Sequence, residues 1–96
     1  MKTRTKFASL FAFDALDEGV FEAEARTLVR EHAFGGAIAG QAMVAAARTV
    51  SADRAVHSVH CHFLRAGDTT APTKITVTSL RDGRSYSTRS VIAEQH

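Results

Sequence analysis

Apolar residues recur along this chain first at helical and then at strand spacing. Phe7, Leu10 and Phe11 stand at i, i+3 and i+4, which predicts a short amphipathic helix over about 3–12 that lays its aromatic face on the rest of the domain. From Val20 to Val29 the period falls to two. Phe21, Ala23 and Ala25 then share one face and Glu22, Glu24 and Arg26 the other, the pattern of a strand with one wet side. Between Ala33 and Val50 lie three glycines and seven alanines, with Ile38, Met43 and Val44 as larger apolar residues. Alanine favours helix and small side chains allow close backbone approach, so a core helix over roughly 36–49, wrapped on several sides, is expected.

The second half of the chain is dominated by alternation. Ala55 to Leu64 predicts a strand with His57, Val59, Cys61 and Phe63 toward the core and Ser58, His60 and His62 away from it. A turn over 65–68 precedes a strand at Lys74–Leu80, rich in Thr, Ile and Val. Asp82-Gly83 then predicts a type I′ hairpin leading into a strand at Ser85–Ala93, since such turns need positive φ at both central residues. This order, a helix followed by strands with no helix between them, predicts an α+β fold: an antiparallel sheet curled around one central helix. No turn signal follows Ala93, so further strands of the sheet are expected beyond His96, leaving Ser85–Ala93 as an open edge suited to self-association.

Composition narrows the function classes. Ninety-six residues suffice for a single domain. Twelve Lys and Arg stand against ten Asp and Glu, scattered rather than gathered into a stripe, which argues against nucleic acid as a partner. The single cysteine, Cys61, has no intramolecular disulfide partner and suggests a reducing, cytoplasmic setting. The apolar stretch Phe7–Phe13 is too short and lacks a cleavage motif for a secretory signal, and nothing in the sequence is long and apolar enough to span a membrane.

Several words then occur in order: His32-Ala33-Phe34-Gly35-Gly36, Gly40-Gln41-Ala42, Val56-His57-Ser58, His62-Phe63-Leu64-Arg65-Ala66-Gly67-Asp68 and Leu80-Arg81-Asp82-Gly83-Arg84-Ser85-Tyr86-Ser87. Together they resemble the N-terminal hot-dog domain of the acyl-CoA thioesterase II family, a match running over nearly all the chain from about Leu10. Ala66 departs from the pattern, where the family usually has proline. The resemblance implies a double hot-dog enzyme hydrolysing fatty acyl-CoA to free fatty acid and CoA, with no cofactor beyond the CoA of the substrate. It implies a partial domain over 1–96, paired with a second hot-dog domain or an identical subunit in an oligomer. It also implies that the catalytic aspartate, hydroxyl residue and glutamine belong to the second domain, so no position here inherits them.

The residues themselves offer candidate substrate contacts for such chemistry. Thioester hydrolysis needs a nucleophile and donors for the oxyanion that develops on the carbonyl. Gly35 and Gly36 would present backbone N–H groups at the positive end of the helix dipole. Gln41 is the neutral polar side chain in the body of the helix, able to orient water or donate to a carbonyl, or else to bond the surrounding backbone. Arg65 is a candidate phosphate contact, as are Arg81, Arg84 and Arg89. Ala37 to Arg48 contains no Asp or Glu, so the helix lacks the carboxylate that single-domain hot-dog thioesterases carry there, and a non-catalytic acyl-binding or assembly module is the rival reading. His32 alone could serve a dehydratase. His57, His60 and His62 form H-x-x-H-x-H without an acidic partner nearby, which does not make a metal site.

Overall fold

The computed structural model describes residues 12–24, 35–65 and 71–95. The expected N-terminal helix, the C-terminal part of the first predicted strand and the turn beyond Arg65 lie outside them. Four strands and one helix follow in the order β1 (Phe13–Asp17), β2 (Val20–Ala23), α1 (Gly35–Ala47), β3 (Thr73–Asp82) and β4 (Ser87–Glu94). The strands make one antiparallel sheet in the order β1-β2-β3-β4.

β1 was not anticipated, because the acidic stretch from Asp14 to Glu18 obscures the apolar alternation of Phe13 and Ala15. What makes it a strand is the turn that follows. Gly19 adopts φ +74°, a conformation that side-chain-bearing residues rarely take. Its carbonyl accepts from Val77 N–H at 2.7 Å, and a Cβ on Gly19 would lie 2.8 Å from the Val77 carbonyl oxygen. Glycine is therefore required here both by conformation and by the close passage of β3.

Register puts Phe21 opposite Ile75 and Val77 opposite Val91, so these side chains share the sheet face that α1 covers. Phe21, Ala23, Ala45 and Ile75 form the core, with Phe13, Val77 and Val91 packed around it. Ala45 is 0% exposed and Ile75 is 1% exposed, so the absent side-chain bulk of the helix is what lets it settle onto the sheet. The inward face of β2 is as the alternation predicts, with Phe21 and Ala23 buried. The helix is less enclosed than expected: Ala45 is its buried residue among those whose side chains are described, while Met43 and Ala47 are exposed. Among the described residues it packs chiefly against β3 and β4.

Two further expectations are corrected. Ala55–Leu64 has no regular secondary structure and belongs to no ladder, and the supposed core face of His57, Val59, Cys61 and Phe63 is exposed to solvent. Alternation specifies an extended chain with two unlike faces, whereas a strand also needs a neighbouring backbone to bond, and no described residue supplies one. The β3–β4 connection is a hairpin, yet its tip is not Asp82-Gly83. Gly83 N–H donates to the Tyr86 carbonyl at 2.7 Å, so Arg84 and Ser85 occupy the tip, and Gly83 has ordinary negative-φ geometry.

A bulge in β3 shapes this hairpin. Ser79 pairs with Arg89 and Arg81 with Thr88, so two residues of β3 advance for one of β4 and Leu80 is the extra one. The insertion inverts the facing of everything after it. Asp82 comes to the helix side with Ser87, and Arg81 goes to the outer side with Thr88.

Candidate functional site

The helix start is the first place to look for thioester chemistry. Gly35 and Gly36 open α1, so their N–H groups are among the first four, which have no partner within the helix. No acidic residue lies in the first turn, nor anywhere along Gly35–Ala47. The backbone can thus stabilise a developing negative charge there, but the helix brings no carboxylate to activate water. Gln41 lies about a turn and a half further along, half-buried and engaged within the molecule. Arg65 is exposed directly after the irregular segment 55–64, with no hydrogen bond or ion pair to α1 among the described residues. The structure therefore gathers Gly35, Gly36 and Gln41 on one element and sets Arg65 apart.

The other arginines divide by the face of the sheet they occupy. Arg89 points to the helix side and is 8% exposed in its side chain. Its Nε donates to Thr49 Oγ1 at 2.8 Å, Nη2 to the Thr49 carbonyl at 2.9 Å, and Nη1 lies 2.9 Å from Asp82 Oδ1. Arg89 is a clasp between the C-terminal end of α1 and the hairpin, with no donor left for a phosphate group in solution. The Arg89 hydrogen bond, seconded by Ser87, holds the Asp82 carboxyl below the ordinary aspartate range.

Arg54 performs a similar task for the hairpin tip. Its Nη1 donates to Ser87 Oγ at 2.5 Å, and its Nη2 to the carbonyls of Gly83 at 2.8 Å and Arg84 at 2.9 Å. Nothing in the sequence singled out Arg54, because its partners stand about thirty residues away. Tyr86 packs edge-on against His57, with ring centroids 5.7 Å apart, and so holds the start of segment 55–64 beside the hairpin. Cys61 is an exposed free thiol. Among the described residues no group of three or more His, Cys, Asp or Glu side chains is arranged to hold a metal ion, and no helix is long and apolar enough to cross a membrane.

Comparison with known proteins settles the lineage of this scaffold. Residues 24–96 match the family model described as acyl-CoA thioesterase N-terminal domain. The chain belongs to that family. Similarity extends to human acyl-coenzyme A thioesterase 8, 48% identical over 83 residues, covering 86% of this chain and 26% of the relative. The acyl-CoA thioesterase 2 of Haemophilus influenzae is 37% identical over 87 residues, covering 91% of this chain and 30% of that protein. Among solved structures, the acyl-CoA thioesterase II TesB2 of Mycobacterium marinum superposes with a TM-score of 0.82 at 38% identity, over 94% of this chain and 32% of that one. A tesB protein of Mycobacterium avium subsp. paratuberculosis gives 0.84 at 36% identity, over 93% of this chain and 36% of that one. The sheet-on-helix arrangement is thus the hot-dog fold of the thioesterase II proteins, and this acyl-CoA thioesterase N-terminal domain spans about a third or less of the relatives it matches.

Proposed function

We propose that this chain serves the hydrolysis of fatty acyl-CoA to free fatty acid and CoA, as a scaffold half that does not itself carry the catalytic residues. The observation that carries this reading is a thioesterase-family helix, Gly35–Ala47, whose first amides have no partner within the helix and which has no Asp or Glu along its length. Its first amides would hold the thioester carbonyl and stabilise the oxyanion, with Gln41 orienting water or the carbonyl from further along the helix. Arg65 would meet a phosphate of the substrate. The carboxylate that activates water would come from a second hot-dog unit, in the same polypeptide or in an identical subunit. No cofactor is needed, since CoA enters as part of the substrate. The exposed free thiol of Cys61 suits a reducing, cytoplasmic setting.

The missing carboxylate also favours a second reading, a non-catalytic acyl-binding or assembly module. A thiol-release assay with octanoyl-CoA and palmitoyl-CoA separates the two, run on this chain and on a chain extended to the length of the relatives. Hydrolysis only by the longer form is the expected outcome. Turnover by the 96-residue chain alone, lost in Gln41→Ala, would overturn the scaffold reading, and inactivity of both forms would favour the module.

A further inference from the structure

We infer that the outer face of the β3–β4 hairpin is a binding site for a phosphorylated nucleoside, the adenosine bisphosphate end of an acyl-CoA if the proposed function holds. The bulge at Leu80 puts Arg81 on the face away from α1, and the pairing of Arg81 with Thr88 places Tyr86, two residues before Thr88, on that same face. Gly83 stands opposite Tyr86 and leaves room above its Cα. The Arg81 guanidinium occupies that room, since a Cβ on Gly83 would lie 3.3 Å from Arg81 Nε and 3.7 Å from Nη2. Arg84 follows at the exposed tip. Arg81 and the tyrosine ring therefore share the outer face, with Arg84 at the adjoining tip; the ring packs edge-on against His57 and remains 67% exposed.

The hairpin's own carboxylate does not neutralise this pair. Asp82 is on the opposite face, bound by Arg89 at 2.9 Å. The turn is also held still from behind, where Arg54 fixes the Gly83 and Arg84 carbonyls. A rigid turn gives up little conformational freedom when it meets a ligand. Guanidinium forks match phosphate oxygens, and an exposed aromatic ring offers a stacking surface to a base. Arginines alone would suit any phosphate; the adjoining tyrosine points to one carried on a nucleoside.

The test is titration of the isotopically labelled 96-residue chain with adenosine 3′,5′-bisphosphate, and separately with inorganic pyrophosphate, following backbone amide resonances. The expected result is that Gly83–Tyr86 amides shift with the nucleotide. Arg81→Ala with Arg84→Ala should weaken its binding at least about tenfold, the double lysine variant less, given the strength of charge-assisted hydrogen bonds. Tyr86→Leu should weaken the nucleotide but not pyrophosphate. Shifts confined to other regions, or an unchanged affinity in the double alanine variant, would overturn the site. Equal affinity for pyrophosphate and nucleotide, indifferent to Tyr86, would overturn the nucleoside assignment. The activity reading fails separately: nucleotide binding at the hairpin without hydrolysis by the longer chain keeps the site and rejects the thioesterase. Hydrolysis by the longer chain with KM for octanoyl-CoA unchanged in the arginine variant does the reverse.

Discussion

Arg89 connects the end of α1 to the β3–β4 hairpin. Truncation to alanine removes both donors to Thr49, one of them serving a carbonyl at the frayed end of α1. We expect Arg89→Ala to lower unfolding stability by about 2 kcal/mol, the usual scale for losing charge-assisted hydrogen bonds from a buried side chain. Arg89→Lys should recover only part of it, because an ammonium lacks the fork that reaches Thr49 and Asp82 together. Urea denaturation of the three proteins measures this. Asp82 is exposed and contributes a pH dependence rather than a large energy. Its carboxyl is lowered in the fold, so its stabilising contribution is present above the ordinary aspartate value of 3.8 and is lost as pH falls through the lower folded value. Thermal melts taken down through that range should fall less steeply in Asp82→Asn than in the parent; equal slopes would count against the assignment.

Among the elements, the β1–β2 hairpin depends on one residue. Gly19→Ala must accept both a positive φ and a Cβ 2.8 Å from the Val77 carbonyl oxygen, and backbone on that side has little freedom to retreat. A loss of at least about 1–2 kcal/mol is expected, with amide exchange accelerating first in Phe13–Ala23, and proton exchange measured by mass spectrometry would show it. The parts of the fold legible in sequence are those where burial follows period: the inward face of β2, the alanine-rich helix, and β3 with its Thr-Ile-Val run. Ala55–Leu64 was misread because its alternation is as good as that of β2 while pairing depends on a neighbour that a local pattern does not encode. The candidate site was partly legible in the same way. The want of a carboxylate on α1 is visible residue by residue, whereas Arg81, Arg84 and Arg89 look alike until an irregularity in the ladder assigns them to opposite faces.

At the scale of the whole molecule, the open side of the sheet dominates. β4 pairs only with β3 among the described residues, and Val56, Val59, Phe63 and Leu64 are exposed in the segment after α1, Leu64 at 93%. Ile92 adds an exposed apolar side chain on β4 itself. Such a surface favours association with another strand or copy, which agrees with the proposed pairing of hot-dog units. Sedimentation velocity should therefore reveal concentration-dependent association of the 10.3 kDa chain, reduced by Phe63→Ser combined with Leu64→Ser. A concentration-independent monomer would count against it.

The extra residue at Leu80 carries a consequence for comparing related sequences. Because the bulge decides which residues of β3 turn inward, the hairpin is read in phase, much as a reading frame is. A relative with the same residues that paired them without a bulge would turn the Arg81 equivalent toward the helix and the Asp82 equivalent toward water. Letter-by-letter identity across this turn would then conceal the loss of its outer charge, and the register of the paired strands, more than the residues themselves, would tell which relatives present it.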